Sequence, residues 1–307
     1  MNNLLKKFGF VNVLGATNVG KSTLINRLVG QKVSIVTKKV QTTRNNIIGI
    51  YCLDYSQVVL IDTPGIFVPK RKFDRAMINS AWKSVKDADI TLLMLDADKD
   101  LDNNTLIIAD AFNSKQISNS KFLICVINKI DLVKSELLLE LVEKVKKYFT
   151  CKEFFFISAL KGDGVIELKK FLAKNVPIGD WHYPEEHVTD IPYRLLVSEI
   201  IREKLMERMH HELPYGIAVE TESWNTLEDG SIRIDVLIYV KKKGQKRIVI
   251  GTKGENLKFI GIDCRKELKS MLKKTVHLFL YVKVKDNWDK SPDYFKNLGL
   301  DLSLIHI

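Results

Sequence analysis

Residues Phe10–Gly30 read FVNVLGATNVGKSTLINRLVG, and the order of textures in that stretch decides the fold. An apolar run ends at Leu14, a glycine loop of the form G-x-x-x-x-G-K-S follows from Gly15 to Ser22, and a helical pattern starts directly after it. Glycines at both ends let backbone N–H groups turn toward a phosphate, and the N-terminus of the following helix adds a favourable dipole. Gly15, Ala16, Thr17, Asn18, Val19, Gly20, Lys21 and Ser22 therefore read as a phosphate cradle. In it, Lys21 reaches the β- and γ-phosphates of a nucleotide and the Ser22 hydroxyl ligates Mg²⁺.

Outward from the loop the same alternation continues. Short apolar runs (VVLI before Asp62, ITLLMLDA from Ile90, FLICVIN from Phe122, EFFFISAL from Glu153) are separated by helical patterns such as SELLLELVEKVKKYF from Ser135. Runs without a polar face are what parallel strands covered on both sides require. An α/β domain with a mostly parallel, doubly wound sheet is predicted, with its ligands at the C-terminal ends of the strands. At Val176–Pro192 the texture changes to three prolines, several acids and no period, which reads as a linker. Beyond it come an amphipathic helix from Tyr193 and two alternating stretches joined by a hairpin turn at Glu228-Asp229-Gly230. QKRIVIG, a helix to about Lys274 and a last strand VHLFLYVKVK complete the series. The boundaries on this reading are 1–178 for a nucleotide-binding domain, 179–192 for the linker, 193–290 for an α+β domain and 291–307 for a tail.

The chain of 307 residues is 46% hydrophobic, enough for two cores, and carries a net charge of +11. Its Lys241–Lys274 stretch alone holds 12 Lys and Arg against 3 Asp and Glu, which favours a polyanionic partner. The four cysteines form no CxxC pair and read as core residues of a reduced, cytoplasmic protein. No HExxH or zinc-finger spacing occurs, and His210–His211 read as helix surface. The N-terminus shows no secretory pattern, and no run reaches the ~18 apolar residues of a membrane span.

Base choice rests on NKID, Asn128–Asp131, at the end of FLICVI. A carboxylate at Asp131 accepts from both N1–H and the 2-amino group of guanine. Adenine offers neither donor, and a site built to hydrogen-bond a group can reject its absence by ~10⁴ or more. Lys129 lies against base and ribose, Asn128 ties its loop to the phosphate cradle, and Ile130 fills the motif. In Ile157-Ser158-Ala159, the Ala159 N–H reads as the donor to guanine O6. Asp62, Thr63, Pro64 and Gly65 form DTPG: Asp62 holds Mg²⁺ through water and the Gly65 amide senses the γ-phosphate. Gln41-Thr42-Thr43-Arg44 sits where a mobile switch belongs, with one of Thr42 and Thr43 closing on Mg²⁺ and Thr43 favoured. The catalytic set is Lys21, Ser22, Thr42, Thr43, Asp62 and Gly65, acting on GTP to give GDP and phosphate. Ras-like proteins place a water-orienting glutamine after this glycine. Here Ile66 stands there, so slow intrinsic hydrolysis is expected.

A second glycine loop, Gly251-Thr252-Lys253-Gly254, has no lysine–serine pair behind it and does not read as another nucleotide pocket. Together, GATNVGKSTLINRLVGQKVSIVTKKVQTTR, DTPG, NKID, ISA, SEIIREKL and VIGTKGENLKFIG resemble the Era family of bacterial GTPases, from about Phe8 to Leu300. The resemblance implies a GTPase domain followed by a KH domain of the second topological type. It also implies binding to the 3′ end of 16S ribosomal RNA, assistance in assembly of the small ribosomal subunit, and peripheral association with the cytoplasmic face of the inner membrane; a monomer is expected. A KH loop of this form clamps about four nucleotides of single-stranded RNA. Thr252 and Lys253 then meet phosphate or sugar, while Ile248, Ile250 and Leu257 form a floor for bases with Lys258 nearby. Asn18 resembles the asparagine with which some related GTPases hold K⁺; equal hydrolysis in K⁺ and Na⁺ buffers would exclude that. Ala16-Thr17 departs from the family's usual Arg-Pro, and the tail LSLIHI matches nothing expected. Two rivals remain: a P-loop kinase or ATPase, against which Asp131 argues, and a GTPase whose basic C-terminal domain docks on protein or anionic membrane.

Overall fold

The computed structural model describes residues 5–40, 42–114, 122–209 and 216–300, so Gln41, His210, His211 and the LSLIHI tail lie outside the described residues. The chain forms two compact units. One holds the residues up to Ser34, Thr43–Asp190 and a stretch from Leu298; the other holds Ile191–Asn297 and the segment Ile35–Thr42.

Among the described residues the first unit contains strands β1 (Lys7–Gly15), β2 (Ile47–Leu53), β3 (Ser56–Asp62), β4 (Ile90–Asp96), β5 (Leu123–Asn128) and β6 (Glu153–Ile157). They form one sheet in the order β2-β3-β1-β4-β5-β6. Only β2 runs antiparallel, against β3; the other neighbours are parallel. The helices are α1 (Lys21–Val29), α2 (Lys72–Asp87), α3 (Asn103–Asn113), α4 (Ser135–Lys146) and α5 (Val165–Asn175). β4 shows why its apolar run lacks alternation. Leu92 and Met94 belong to one core with Leu24, Leu28 and Leu168, while Leu93 and Leu95 belong to the core on the other face with Ile78, Val85 and Ile127. Burial on both faces is the parallel-sheet condition.

The expected linker is no free tether over its first part. Gln57 of β3 accepts the N–H groups of His182 and Tyr183 on its side-chain oxygen, and its amide donates to the Tyr183 carbonyl at 2.8 Å. Further on, the Ile50 N–H donates to the Val188 carbonyl and the Thr189 hydroxyl to the Ile48 carbonyl. β2 is an edge strand, and this segment pairs its Ile50 N–H and Ile48 carbonyl.

The second unit contains α6 (Tyr193–Arg208), β7 (Ile217–Thr226), β8 (Ile232–Val240), α7 (Lys243–Ile250), α8 (Glu255–Leu272), β9 (Val276–Val284) and a short α9 (Pro292–Asn297). Its sheet runs β7-β8-β9, antiparallel then parallel. Leu196, Ile200, Leu205, Ile234, Val236, Ile260 and Leu268 share its core. The QKRIVIG stretch is helix α7 up to Ile250, so the second glycine loop joins two helices. No helix among the described residues is long and apolar enough to cross a membrane.

Candidate functional site

The phosphate loop connects β1 to α1 at the C-terminal edge of the sheet, beside the ends of β3, β4 and β5. Gly20 has φ 101, and a Cβ there would meet the Asn128 side-chain nitrogen at 2.3 Å, so only glycine fits. Lys21 is buried, and its ammonium donates to the carbonyls of Gly15 at 3.1 Å and Ala16 at 2.7 Å. Burial lowers it to about 8, and the nearby Asp62 charge only partly opposes this. A cation folded back on its own loop, and short of counter-charge, is suited to receive phosphate oxygens.

Asp62 is fully buried. Its Oδ2 accepts from Ser22 Oγ at 2.6 Å, Ser34 Oγ at 2.5 Å and Thr43 Oγ1 at 3.3 Å, while its buried Oδ1 has no hydrogen-bond partner. Burial raises the carboxyl above its usual range, against the pull of these hydroxyls and of Lys21. Ser22 and Thr43 hydroxyls lie 3.1 Å apart. Two hydroxyls and an orphaned carboxylate oxygen form an all-oxygen set that fits Mg²⁺, with phosphate oxygens completing the shell. Among the described residues no group of three or more His, Cys, Asp and Glu is placed to hold a metal. The structure brings Thr43, not Thr42, to this set. The Thr42 hydroxyl instead faces Thr37 and the Lys39 carbonyl, both at 2.7 Å.

Asn128 links the phosphate loop to the Ile157-Ser158-Ala159 segment. Its amide donates to the Val19 carbonyl at 2.7 Å, and its oxygen accepts the Ala159 N–H at 2.9 Å. The Ala159 N–H, expected to face guanine O6, is therefore engaged by Asn128. Lys129 adopts φ 68 at the start of a short 3₁₀ turn, Ile130–Leu132, and its ammonium meets the buried Asp96 carboxylate at 2.5 Å. Asp131 is held below the usual carboxylate range, chiefly by the Ser158 hydroxyl. Lys161 stands 3.6 Å away. The anion that would read guanine is thus already held as an anion. Asn18 has a left-handed backbone, φ 64.

Three residues placed in the nucleotide set act differently. The Thr63 hydroxyl donates to the Val13 carbonyl at 2.7 Å, and Pro64 is buried in the turn. The Ile66 side chain is fully buried in the core with Leu14 and Ile78, while its backbone bridges to Ala16 of the loop and its N–H donates to the Gly15 carbonyl. Sequence reasoning missed Ser34, Asn26 and Asp96. The first two sit in no motif; Asp96 was accessible, since β4 ends at Asp96 in register with Asn128 of β5.

In the second unit Gly251 has φ 77, and a Cβ there would stand 2.9 Å from the Asn256 backbone nitrogen. Gly254 caps α8 in the left-handed region, and Lys253 shares that region with φ 52. Asn256 fastens the turn by donating to the Ile248 carbonyl at 3.0 Å. Thr252, Lys253 and Lys258 are exposed, as is Ile248, whereas Ile250 and Leu257 lie partly against the core. The loop offers backbone N–H groups of a helix start beside lysines, a place for a phosphate chain.

Comparison with known proteins identifies both units. Residues 10–129 match the family model described as 50S ribosome-binding GTPase, and 212–289 match the KH domain. The chain is 50% identical over 293 residues to GTPase Era of Brucella suis biovar 1, covering 95% of this chain and 93% of that one. It is 48% identical to GTPase Era of a Bradyrhizobium species, covering 95% and 94%. A crystal structure of Era with MgGDPNP and nucleotides 1506–1542 of 16S ribosomal RNA superposes with a TM-score of 0.89 at 37% identity, covering 96% of this chain and 99% of that chain. A variant of Aquifex aeolicus Era bound to GDP and AlF₄⁻ gives 0.89 at 38% identity, covering 95% and 99%.

Proposed function

This chain belongs to the Era family of GTPases, and from that premise we propose that it is a nucleotide-switched RNA-binding factor acting on the 3′ region of 16S ribosomal RNA during small-subunit assembly. The observation that carries the reading is the Asn128 bridge, which ties the phosphate loop at Val19 to Ala159 and so brings the two nucleotide motifs together. Gly15–Ser22 hold the phosphates, Lys21 leaves its loop carbonyls for phosphate oxygens, and Asp131 selects guanine. Ser22, Thr43 and, through water, Asp62 hold Mg²⁺, which neutralises charge developing on the phosphates. The Thr43 hydroxyl completes this shell when a γ-phosphate is present and releases it when the phosphate leaves. The Ile66 side chain is sequestered in the core, so no side chain at that position orients the attacking water. Hydrolysis is accordingly slow and acts as a timer. In the second unit, Gly251–Gly254 and the start of α8 hold the RNA backbone, with Ile248 and Lys258 beside the bases.

The base reading has a direct test in competition for a fluorescent GDP. Guanine nucleotides should displace it and ATP should not. Asp131→Asn should lose GDP affinity by a factor on the order of 10³ or more and gain affinity for xanthosine diphosphate, whose ring accepts where guanine donates. Equal displacement by ATP and GTP would return the chain to the kinase or ATPase class.

A further inference from the structure

Ser34 stands outside every motif of the nucleotide site, yet makes the shortest of the three contacts to Asp62 Oδ2, at 2.5 Å. It is 1% exposed. Its backbone is fixed from one side chain on α1: Asn26 Oδ1 accepts the N–H groups of Val33 and Ser34, both at 2.9 Å, and the Asn26 amide donates to the Ser34 carbonyl at 2.7 Å. The two other hydroxyls on Asp62 belong to residues that would also face a cation and exchange partners with nucleotide state. Ser34 has no such second duty, and its anchor lies on the helix that the phosphate loop itself starts.

We propose that Ser34 is a positioning residue for the cation site: acting through Asp62, its hydroxyl holds the carboxylate in one orientation, with Oδ2 toward the protein hydroxyls and Oδ1 left for the water of a bound Mg²⁺. The orphaned Oδ1 is the second half of that arrangement, since a buried carboxylate oxygen without a partner calls for one from the ligand. The inference rests on the Mg²⁺–nucleotide reading above and adds to it a residue that touches neither metal nor nucleotide. Groups that orient a metal's carboxylate partner typically alter metal affinity by 10–100-fold when removed.

The test measures release of a fluorescent GDP from the full-length protein as Mg²⁺ is titrated from excess EDTA to millimolar levels. Ser34→Ala should leave release in EDTA unchanged and raise the Mg²⁺ concentration that half-slows release by about tenfold or more. Ser34→Thr, which keeps the hydroxyl, should stay nearer to wild type than to alanine. In an Asp62→Asn background Ser34→Ala should add nothing, because both changes act through one carboxylate. An unchanged midpoint in Ser34→Ala, equal acceleration with and without Mg²⁺, or a full additional shift in the Asp62→Asn background each overturns the proposal. If wild-type release ignores Mg²⁺ altogether, the cation reading fails first, and Ser34 loses its role with it.

Discussion

Lys21 concentrates the electrostatics of the nucleotide site into one titration. Its ammonium is lowered to about 8 from an ordinary 10.5, mainly by burial. Between those values the unfolded chain holds a proton that the ligand-free folded protein does not, so this group's contribution makes folding stability rise with pH across that window. Nucleotide binding has the opposite sign. Phosphate oxygens restore the charged form and raise the bound-state value, so binding above pH 8 must take up a proton. GDP affinity should be flat with respect to this group below about pH 8 and fall by up to about tenfold per unit above it. Calorimetric titrations at pH 7, 8 and 9 measure this, and Lys21→Met should bind more weakly with the slope removed. A wild-type affinity that does not change between pH 8 and 9 would show that Lys21 stays charged without phosphate.

At the scale of elements, α6 shows both what a pattern conveys and where it stops. Its apolar positions predicted an amphipathic helix, and the helix is present from Tyr193 to Arg208. The polar face, however, is buried as well: Glu199 is 3% exposed, Arg202 1% and Glu203 3%. Arg202 donates through Nε to Glu199 at 2.9 Å and also donates to the Thr42 carbonyl, while Glu203 accepts the Val36 N–H at 2.8 Å. The covering segment Ile35–Thr42 arrives from far away in the sequence, so no window centred on α6 could reveal it. Removing one partner of a buried pair leaves an uncompensated charge and costs roughly 3–5 kcal/mol, whereas an apolar replacement of both is near neutral. Arg202→Met should therefore lower the urea midpoint of the second unit markedly, and Glu199→Leu with Arg202→Met should recover most of it. Equal midpoints for wild type and Arg202→Met would mean that the pair contributes nothing. The nucleotide motifs were legible for the converse reason. Asp62, Asn128 and the Gly15–Ser22 loop all lie at strand ends, where the chain's own order places ligand groups. Ser34 was illegible because its role is a hydrogen bond to a residue 28 positions away. Helix α7 was hidden because Ile248, Val249 and Ile250 are β-branched and favour strands locally, while the Gln245 side-chain oxygen accepts the N–H groups of Lys241 and Lys242 and so starts the helix.

For the whole molecule, the central claim is that GTP and RNA are read by two units of one chain and influence each other. Segment Ile35–Thr42 is the stretch of chain between Ser34 and Thr43. It groups with the KH unit, while its neighbours on either side, Ser34 and Thr43, both contact Asp62 Oδ2 in the GTPase unit. If the two sites are coupled, linkage requires RNA to alter GTP affinity by the same factor that GTP alters RNA affinity. The most direct measurement is equilibrium binding of a short labelled RNA from the 3′ end of 16S ribosomal RNA to the full chain with a GTP analogue, with GDP and without nucleotide. A scrambled RNA and Gly254→Asp serve as controls. Gly254 sits at φ 82, so aspartate there is strained and puts a negative charge where phosphate would approach. Selective binding that shifts at least severalfold between nucleotide states, is lost by about tenfold or more in Gly254→Asp, and leaves GDP affinity untouched is the expected result. Binding that is equal for the scrambled RNA and indifferent to nucleotide would contradict the coupling and leave a GTPase joined to a merely basic domain.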